Sequence, residues 1–559
     1  MTNEDAILLN RPYRTRDLKQ DDAPHTDADG FVAFHESDVE NPQNWTSARR
    51  WQITVCSVML VMNATFASSA PSGALGSISS HFGVSTVVAG LTLTLFLLGY
   101  VAGPLAFAPL SEFYGRRYIF YITFLCYLAF TFLCAFAPNF GSLLVGRFLA
   151  GTFVSAPMSN VPGVLADIWN PLERGDAMAG FSMLVYIGPA LGPVVAGFLE
   201  LTRPDGWRWI FYVILMLGGA TALLMFTIPE THAPTILTAK ARRIRAQGVH
   251  RAVRSRAEGG SQTLRQAYLV ALTRPWVILF DPISFLCAVY MSVVYTLLYM
   301  LFSIYPIVFQ ERRGWNSGVG ELPLCGTIVG AVLGGAIVVL DTRRRLAAIR
   351  RGEASVDDME PEDRLPLAMA GGILFPISMF WFAWSAEYNS VHWIVPSIAG
   401  AFLATTLLLI FTAYQNYLVD TYRMYSASAI AANTITRSAC GAAAPLFTHQ
   451  MFSALGVGGG GSLIAGVATV LAVIPFLFYR YGKAIRMRSP FAPTMPAPPH
   501  NPDGTLIHDT EKVRGQDEEA AVASADATVP RPAYAHLVEE GGPVISSSSS
   551  SAPSSIHRQ

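Results

Sequence analysis

The chain has 559 residues, of which 52% are hydrophobic and only 14% charged, and its mean hydropathy is +0.38. Soluble domains carry about 25% charged residues, so this composition excludes an ordinary soluble protein and points to an integral membrane protein. The formal net charge is zero, which gives nucleic acid no electrostatic footprint to bind.

The first fifty residues are polar, with no short apolar core behind Met1, so no secretory signal is expected. Residues 1–50 are expected to form a disordered cytoplasmic tail. A membrane-spanning helix needs about 20 mainly apolar residues. Such stretches lie near 51–71, 86–108, 118–137, 141–166, 177–199 and 209–228. A second set lies near 276–309, 318–340, 366–386, 391–418, 426–450 and 461–480. The fold class predicted is an all-α integral membrane protein, with twelve transmembrane helices in two six-helix, pseudo-symmetric halves, 51–228 and 276–480. Between them runs a polar connector, 229–275, with the basic residues Lys240, Arg242, Arg243, Arg245, Arg251, Arg254 and Arg256. Residues 481–559 are rich in Pro, Ala, Ser, Asp and Glu and end in the run Ser546–Ser551. Such a composition buries too little apolar surface to order itself, so a disordered cytoplasmic tail is expected there too.

Basic residues give the orientation. Of 39 Lys and Arg, only Arg203, Arg208, Arg312 and Arg313 fall in segments on one side, and Arg147 and Arg437 lie within spans. The rest fall on the side of the termini and connector, which is therefore cytoplasmic. The halves also echo one another. Asp167 precedes the fifth span and Asp420 the eleventh, while Glu112, Arg116 and Arg117 between spans 2 and 3 correspond to Asp341 and Arg343–Arg345 between spans 8 and 9.

The fifth predicted span contains Gly188-Pro189-Ala-Leu-Gly192-Pro193-Val-Val-Ala196-Gly197. Proline inside a helix removes a hydrogen bond and crowds the preceding turn, so the span is expected to be broken there. Gly188, Gly192 and Ala196 recur at i, i+4, i+8, a small-residue stripe that admits a close neighbouring helix. By itself, that stripe is equally a packing device. Arg147 lies inside the fourth span, where an arginine costs roughly 2.5–3.5 kcal/mol unless it faces protein; the alternative is snorkelling to the nearby outer end. In the loop Pro109-Leu-Ser-Glu112-Phe-Tyr-Gly115-Arg116-Arg117, Gly115 permits a tight turn and Glu112 is expected beside a helix start. The two arginines are also compatible with anchoring a helix end at lipid headgroups.

These three passages resemble the fifth-span antiporter motif, the fourth-span arginine motif and the loop motif of the major facilitator superfamily. Asn41-Pro-Gln-Asn-Trp45, Pro229-Glu230-Thr231 and Asn416-Tyr417-Leu418-Val419-Asp420 further resemble its fungal twelve-span drug:proton antiporter branch. Departures are Ala150 and Phe153 in the arginine motif, and Phe113 in the loop. The resemblance implies alternating access. It also implies that Arg147 serves proton transfer, that Gly188, Pro189, Gly192, Pro193 and Gly197 form the antiporter motif, and that Glu112, Gly115, Arg116, Arg117, Asp167 and Asp420 gate the cytoplasmic face.

Tyr295, Tyr299 and Phe302 share a face of the seventh span, and Asn433 and Arg437 a face of the eleventh. They are candidates for the substrate cavity, with plain packing as the alternative. Asp281 is a second proton-coupling candidate, although it lies close to the inner headgroup zone. The six cysteines sit in apolar segments and read as packing residues, with no metal site. No cofactor is expected, and no HExxH, P-loop, GxSxG or CxxC pattern suggests an enzyme. The function expected is proton-coupled export of small amphipathic organic compounds such as drugs, toxins or secondary metabolites. The alternatives are an exporter dedicated to one glycolipid, organic acid or polyamine, or a nutrient symporter. The expected partners are a small-molecule substrate, protons and the lipid bilayer, with the chain a monomer in the plasma or vacuolar membrane.

Overall fold

A computed structural model describes residues 25–492, apart from 28, 29, 36, 171, 172, 204, 247–252, 260–263, 353–359, 423 and 424. Residues 1–24 and 493–559, which hold the outer parts of the two expected tails and Ser546–Ser551, lie outside the described residues, as do Arg251 and Arg423.

The first half comprises α1 (Ser47–Ser69), α2 (Leu91–Tyr114), α3 (Arg116–Ala135), α4 (Phe140–Ile168), α5 (Arg174–Thr202) and α6 (Gly206–Met225). The second comprises α7 (Pro282–Tyr305), α8 (Cys325–Arg350), α9 (Leu365–Glu387), α10 (Ile394–Tyr422), α11 and α12. The last apolar helical stretch, Ser426–Arg486, has 61 residues. A straight helix of that length would run about 90 Å, roughly three times a bilayer core. Gly456, at φ 72° and ψ 170°, breaks it. The rings of Tyr425 and Phe491, one at either end of the stretch, lie 6.0 Å apart. The chain therefore reverses at Gly456, giving α11 (426–455) and α12 (457–471, continued by Val473–Arg486) and twelve spans in all. Glu387 holds the reversal, accepting from Gly458 N–H at 2.7 Å and pairing with Arg312 at 2.9 Å.

Each span buries one stripe and exposes another. In α3, Phe120, Phe124, Tyr127 and Thr131 are buried, while Tyr118, Ile122, Leu125 and Phe132 are exposed. An exposed apolar stripe would be a liability in water, but it is what hydrocarbon favours. Within the first half, α1 packs on α5 and α2 on α4; within the second, α7 packs on α11 and α8 on α10. The halves meet along α2–α11 and α5–α8. The α5–α8 pair runs antiparallel: Gly197 lies beside Ser317 just before α8, Gly335 faces Met183, and Gly175 faces Thr342. The end of the bundle that bears the connector is called the connector end below, and the opposite one the far end.

Three expectations change. The tail expected to be disordered over 481–559 starts inside a helix that runs on to Arg486, which is buried and pairs with Glu362 at 2.9 Å. The fifth span is not broken: α5 is continuous from Arg174 to Thr202 through both prolines. The tail expected to be disordered over 1–50 is ordered from residue 30 to 35 and through 37–46, where Val32 is buried against the connector helix Ala233–Ala246. Asp38 pairs with Lys240 at 2.5 Å, and Glu40 with Arg243 at 2.7 Å. The basic connector thus finds acidic partners within its own chain, which composition alone does not reveal.

Candidate functional site

The proline effect in α5 is local. Pro193 has no N–H to give the carbonyl four residues earlier. That carbonyl, Pro189 O, accepts from Ser69 Oγ of α1 at 2.7 Å, so a neighbouring helix supplies the missing donor. The glycines make the approach possible. A Cβ at Gly188 would collide with Thr65 Oγ1, and one at Gly192 would lie 2.8 Å from Ala70 N and 2.9 Å from Phe66 O. Gly197 is closed off by the backbone of Ser317, and a Cβ there would also meet Glu321 Cγ at 3.2 Å. The motif is therefore a seam with two faces: Gly188 and Gly192 pack on α1, and Gly197 on the second half.

Arg147 is 2% exposed, so it does not snorkel. Its guanidinium donates to Thr92 O and Ala67 O at 2.9 Å and to Ser68 O at 3.3 Å, and lies 4.0 Å above the Phe96 ring. Among the described residues no carboxylate pairs with it. It ties the far ends of α1 and α2 to α4 through backbone carbonyls alone.

The aromatic stripe of α7 sits where the halves meet. Tyr295 and Tyr299 rings are 5.1 Å apart, and Tyr299 and Phe302 rings 5.5 Å. Tyr299 hydroxyl shares a 2.8 Å hydrogen bond with Ser68 of α1. A Cβ at Gly441 of α11 would lie 2.9 Å from the Tyr295 ring. Arg437 stands over Tyr295 at 4.6 Å and over Phe411 of α10 at 5.1 Å. It is 4% exposed, yet its Nε and Nη1 are buried with no hydrogen-bond partner among the described residues. Asn433 Nδ2 donates to Ala429 O at 3.1 Å, and its Oδ1 is likewise unpartnered. From α5, Tyr186 reaches Leu407 O at 3.2 Å and packs edge-on against Phe411. Sequence reasoning missed Tyr186 and Phe411, because each lies among other apolar residues with no spacing to mark it.

At the connector end the two halves carry matching clamps. Arg116 Nε donates to Asp167 Oδ2 at 2.6 Å, joining the start of α3 to the end of α4. Arg364 Nε donates to Asp420 Oδ2 at 2.9 Å, joining the start of α9 to the end of α10. Gly115 turns the chain at φ +90°, and a Cβ there would press on the Glu230 carboxylate. The anion at the start of α3 is Glu230, which accepts from the backbone N–H groups of Arg116 and Arg117, each at 3.1 Å. This corrects the expectation for Glu112, which lies exposed on the last turn of α2 with no hydrogen bond or ion pair among the described residues. Beside Glu230, His232 bonds Thr235 at 2.9 Å, and burial with the nearby Arg116 charge pushes its imidazole down to about 4. Arg117 bonds the Tyr121 hydroxyl at 3.0 Å.

Asp281 also differs from expectation. It is the N-cap of α7, accepting from Ile283 N–H at 3.3 Å, Tyr422 hydroxyl at 2.6 Å and the Ser489 hydroxyl. A carboxylate in this place caps the helix, its oxygens meeting donors from the first turn of α7 and from the end of α10. One buried carboxylate that sequence reasoning passed over is Glu321, at the far end of the eighth predicted span.

The Major Facilitator Superfamily profile matches residues 56–445. Efflux pump FUBT of Fusarium oxysporum is 42% identical over 472 residues, covering 84% of this chain and 78% of that protein. The MFS-type efflux pump MFS2 of Trichophyton rubrum is 40% identical over 489 residues, 87% and 80% of the two chains. The major facilitator superfamily multidrug transporter mdrA of Aspergillus fumigatus is 38% identical over 490 residues, 87% and 78%. Among solved structures, the fold is similar to the proton:xylose symporter XylE bound to 6-bromo-6-deoxy-D-glucose, with a TM-score of 0.58 at 17% identity, over 78% of this chain and 96% of that one. The chain belongs to the major facilitator superfamily, within its fungal drug-efflux branch. It is a multi-pass membrane efflux transporter of small molecules and not an enzyme.

Proposed function

We propose that the chain is a proton-coupled antiporter that exports small amphipathic organic compounds by alternating access. The observation that carries the reading is the α5 seam: one motif is packed without room for a Cβ against α1 on one face and against the second half on the other. Interfaces packed to backbone contact are bistable and not continuously deformable, which is what a two-state gate needs. Cargo is held between the halves, among Tyr186, Tyr295, Tyr299, Phe302 and Phe411, with Asn433 and Arg437 as its polar contacts. A mainly aromatic lining with a few polar groups suits amphipathic ligands. Arg147 acts as a positioning residue that fixes the far ends of α1 and α2 for the proton-coupled step. The clamps Arg116–Asp167 and Arg364–Asp420 keep each half rigid at its cytoplasmic end while the halves rock. The chain is read as a monomer in the plasma membrane, with both termini and the connector in the cytoplasm.

Arg437 favours a second reading, an exporter dedicated to one organic acid, because its unpartnered nitrogens would meet a carboxylate. The same cation opposes a polyamine.

The test is flux in sealed proteoliposomes containing the purified protein under an imposed pH gradient. A lipophilic dye and a simple aromatic carboxylate are compared as cargo. Gradient-driven movement of both supports the broad exporter, and movement of the carboxylate alone supports the dedicated one. Equal flux with and without the gradient refutes proton coupling.

A further inference from the structure

Glu321 is 0% exposed. It ends the short helix Ser317–Glu321 that leads into α8, at the far end of the α5–α8 seam. Its Cγ faces Gly197, the last glycine of the α5 motif, and Ser317 of the same short helix closes on that glycine's backbone. One carboxyl oxygen, Oε1, accepts from Gln310 Nε2 at 2.9 Å. The other, Oε2, is buried with no partner among the described residues.

Among the described residues, the groups around it supply no positive charge. From α5 the titratable neighbour is Glu200, itself bonded to Ser77, and from α7 it is Tyr305. On the turn Pro306–Arg312, Arg312 is engaged by Glu387, and Glu311 lies 3.5 Å from His449 of α11. A buried carboxylate needs a cation or several donors to remain charged; Glu321 has one neutral amide donor. As the neutral acid it has no charge to compensate, so the packed arrangement matches the protonated side chain. With the seam closed, the carboxyl group is out of contact with water.

We propose that Glu321 is a proton-binding site built into the far-end gate: closing the α5–α8 seam takes up one proton from the far side, and ionisation of Glu321 to carboxylate, with its proton passing to water, holds the seam open. This rests on the alternating-access reading above and adds to it the group that makes the far-side gate sensitive to pH. The site binds only a proton, since the seam leaves no room beside Gly197 for a larger ligand.

The experiment follows the far-end gate in the full-length protein in proteoliposomes, without cargo. Val87, between α1 and α2, and Ser390, between α9 and α10, are exposed residues on opposite halves at that end. Spin labels are placed at Val87→Cys and Ser390→Cys after replacing the six native cysteines, and distances are measured by pulsed electron resonance from pH 6 to 9. One titrating group changes a closed-to-open ratio by up to about tenfold per pH unit. The expected result is a short-distance population that falls at least tenfold across the range in the parent protein. In Glu321→Gln, which mimics the neutral acid, it should stay within about twofold. Glu321→Asp should restore the pH dependence with a displaced midpoint, which a variant that merely disturbed packing would not do.

A parent distance that ignores pH overturns the proposal, as does a Glu321→Gln variant that titrates like the parent. Flux under a pH gradient is measured on the same liposomes. Gradient-driven export with a gate indifferent to Glu321→Gln refutes the Glu321 assignment and leaves antiport standing. A gate that needs Glu321 in a protein whose export ignores the gradient supports the site and refutes antiport.

Discussion

Arg147 and Arg437 are both buried within spans, and they are accommodated in opposite ways. Arg147 in α4 has three backbone carbonyls around its guanidinium and an aromatic ring beneath it. Arg437 in α11 has two rings against it, but its Nε and Nη1 are unpartnered. Each has left water, and a cation that leaves water needs replacement partners. Arg147 finds them within its own half, so its bonds survive rocking of the halves as rigid bodies. Arg437 lies where the halves meet, and on the proposed function its open donors are the ones that cargo completes. Burial alone does not separate a structural cation from a ligand-binding one; the count of satisfied donors does.

The largest effect is expected from Arg147→Ala. Three buried carbonyls lose their donors and α4 loses its tie to α1 and α2, at a cost of about 3–5 kcal/mol. Thermal melting in detergent should fall markedly, and gradient-driven flux should be lost. Arg147→Lys should recover only part of both, since a single ammonium cannot span three carbonyls set around a planar fork. A melting temperature unchanged in Arg147→Ala would place the two arginines in one class and break the comparison.

Next comes the α1 segment that Arg147 holds from the other side. Ser68 and Ser69 are adjacent: the carbonyl of Ser68 is taken by Arg147, while the hydroxyl of Ser69 serves Pro189 O, one turn from Gly192. Gly192→Leu should force α5 away from α1 at about 1–3 kcal/mol. The fold survives such a cost, but a two-state equilibrium shifts about tenfold for each 1.4 kcal/mol. The expected outcome is normal expression, collapsed export and an altered ratio of labelling at the two ends by an impermeant thiol reagent. Unchanged export with an unchanged ratio would reduce the seam to a packing stripe.

Hydropathy made twelve spans legible, and the proline-glycine spacing located the seam before its partners were known. Arg147 could be placed inside because an arginine in a span has few other solutions. What stayed hidden depends on contacts between distant segments. Glu230 was noticed as part of a motif, but its capping of α3 rests on a link more than a hundred residues back along the chain. Glu321 lay at the rim of a predicted span, and a rim carboxylate turned to water has the same local sequence as one folded inward under α5. The reversal at Gly456 falls between the predicted spans 426–450 and 461–480, so its place is legible while its tightness is not. There, helices run to within a residue of the turn, because neighbouring spans support glycine that water would not.

Arg437→Ala is expected to act in reverse of Arg147→Ala. No hydrogen bond among the described residues is lost, so melting should change less than in Arg147→Ala, by about 2 kcal/mol for desolvated ring contacts. Cargo affinity should fall about 10- to 100-fold, read as a raised half-saturation for transport with a smaller effect on maximal rate, as for a lost charged hydrogen bond. Arg437→Lys should weaken recognition of a planar carboxylate more than that of a neutral cargo. An Arg437→Ala variant that melts early and transports with normal half-saturation would make it a second structural pin.

The smallest effect extends the comparison to a titratable group at the connector end. His232 is held neutral, its imidazole bonded to Thr235 and its charged form disfavoured by burial and by Arg116. It titrates at about 4, below the 6.5 of an exposed histidine. A histidine lowered on folding contributes stability that is complete above about pH 6.5 and is lost as pH falls towards 4, because the unfolded chain takes up the proton first. Stability should therefore drop by about 1.5 kcal/mol between pH 6.5 and 5, a window in which most carboxylates are still charged. His232→Asn removes the titration, so its melting should be flatter over that window, though lower at pH 7.5 for loss of the Thr235 contact. The same slope in both proteins would show that the connector end does not depend on a neutral His232, and that Glu230 caps α3 without help from its neighbour.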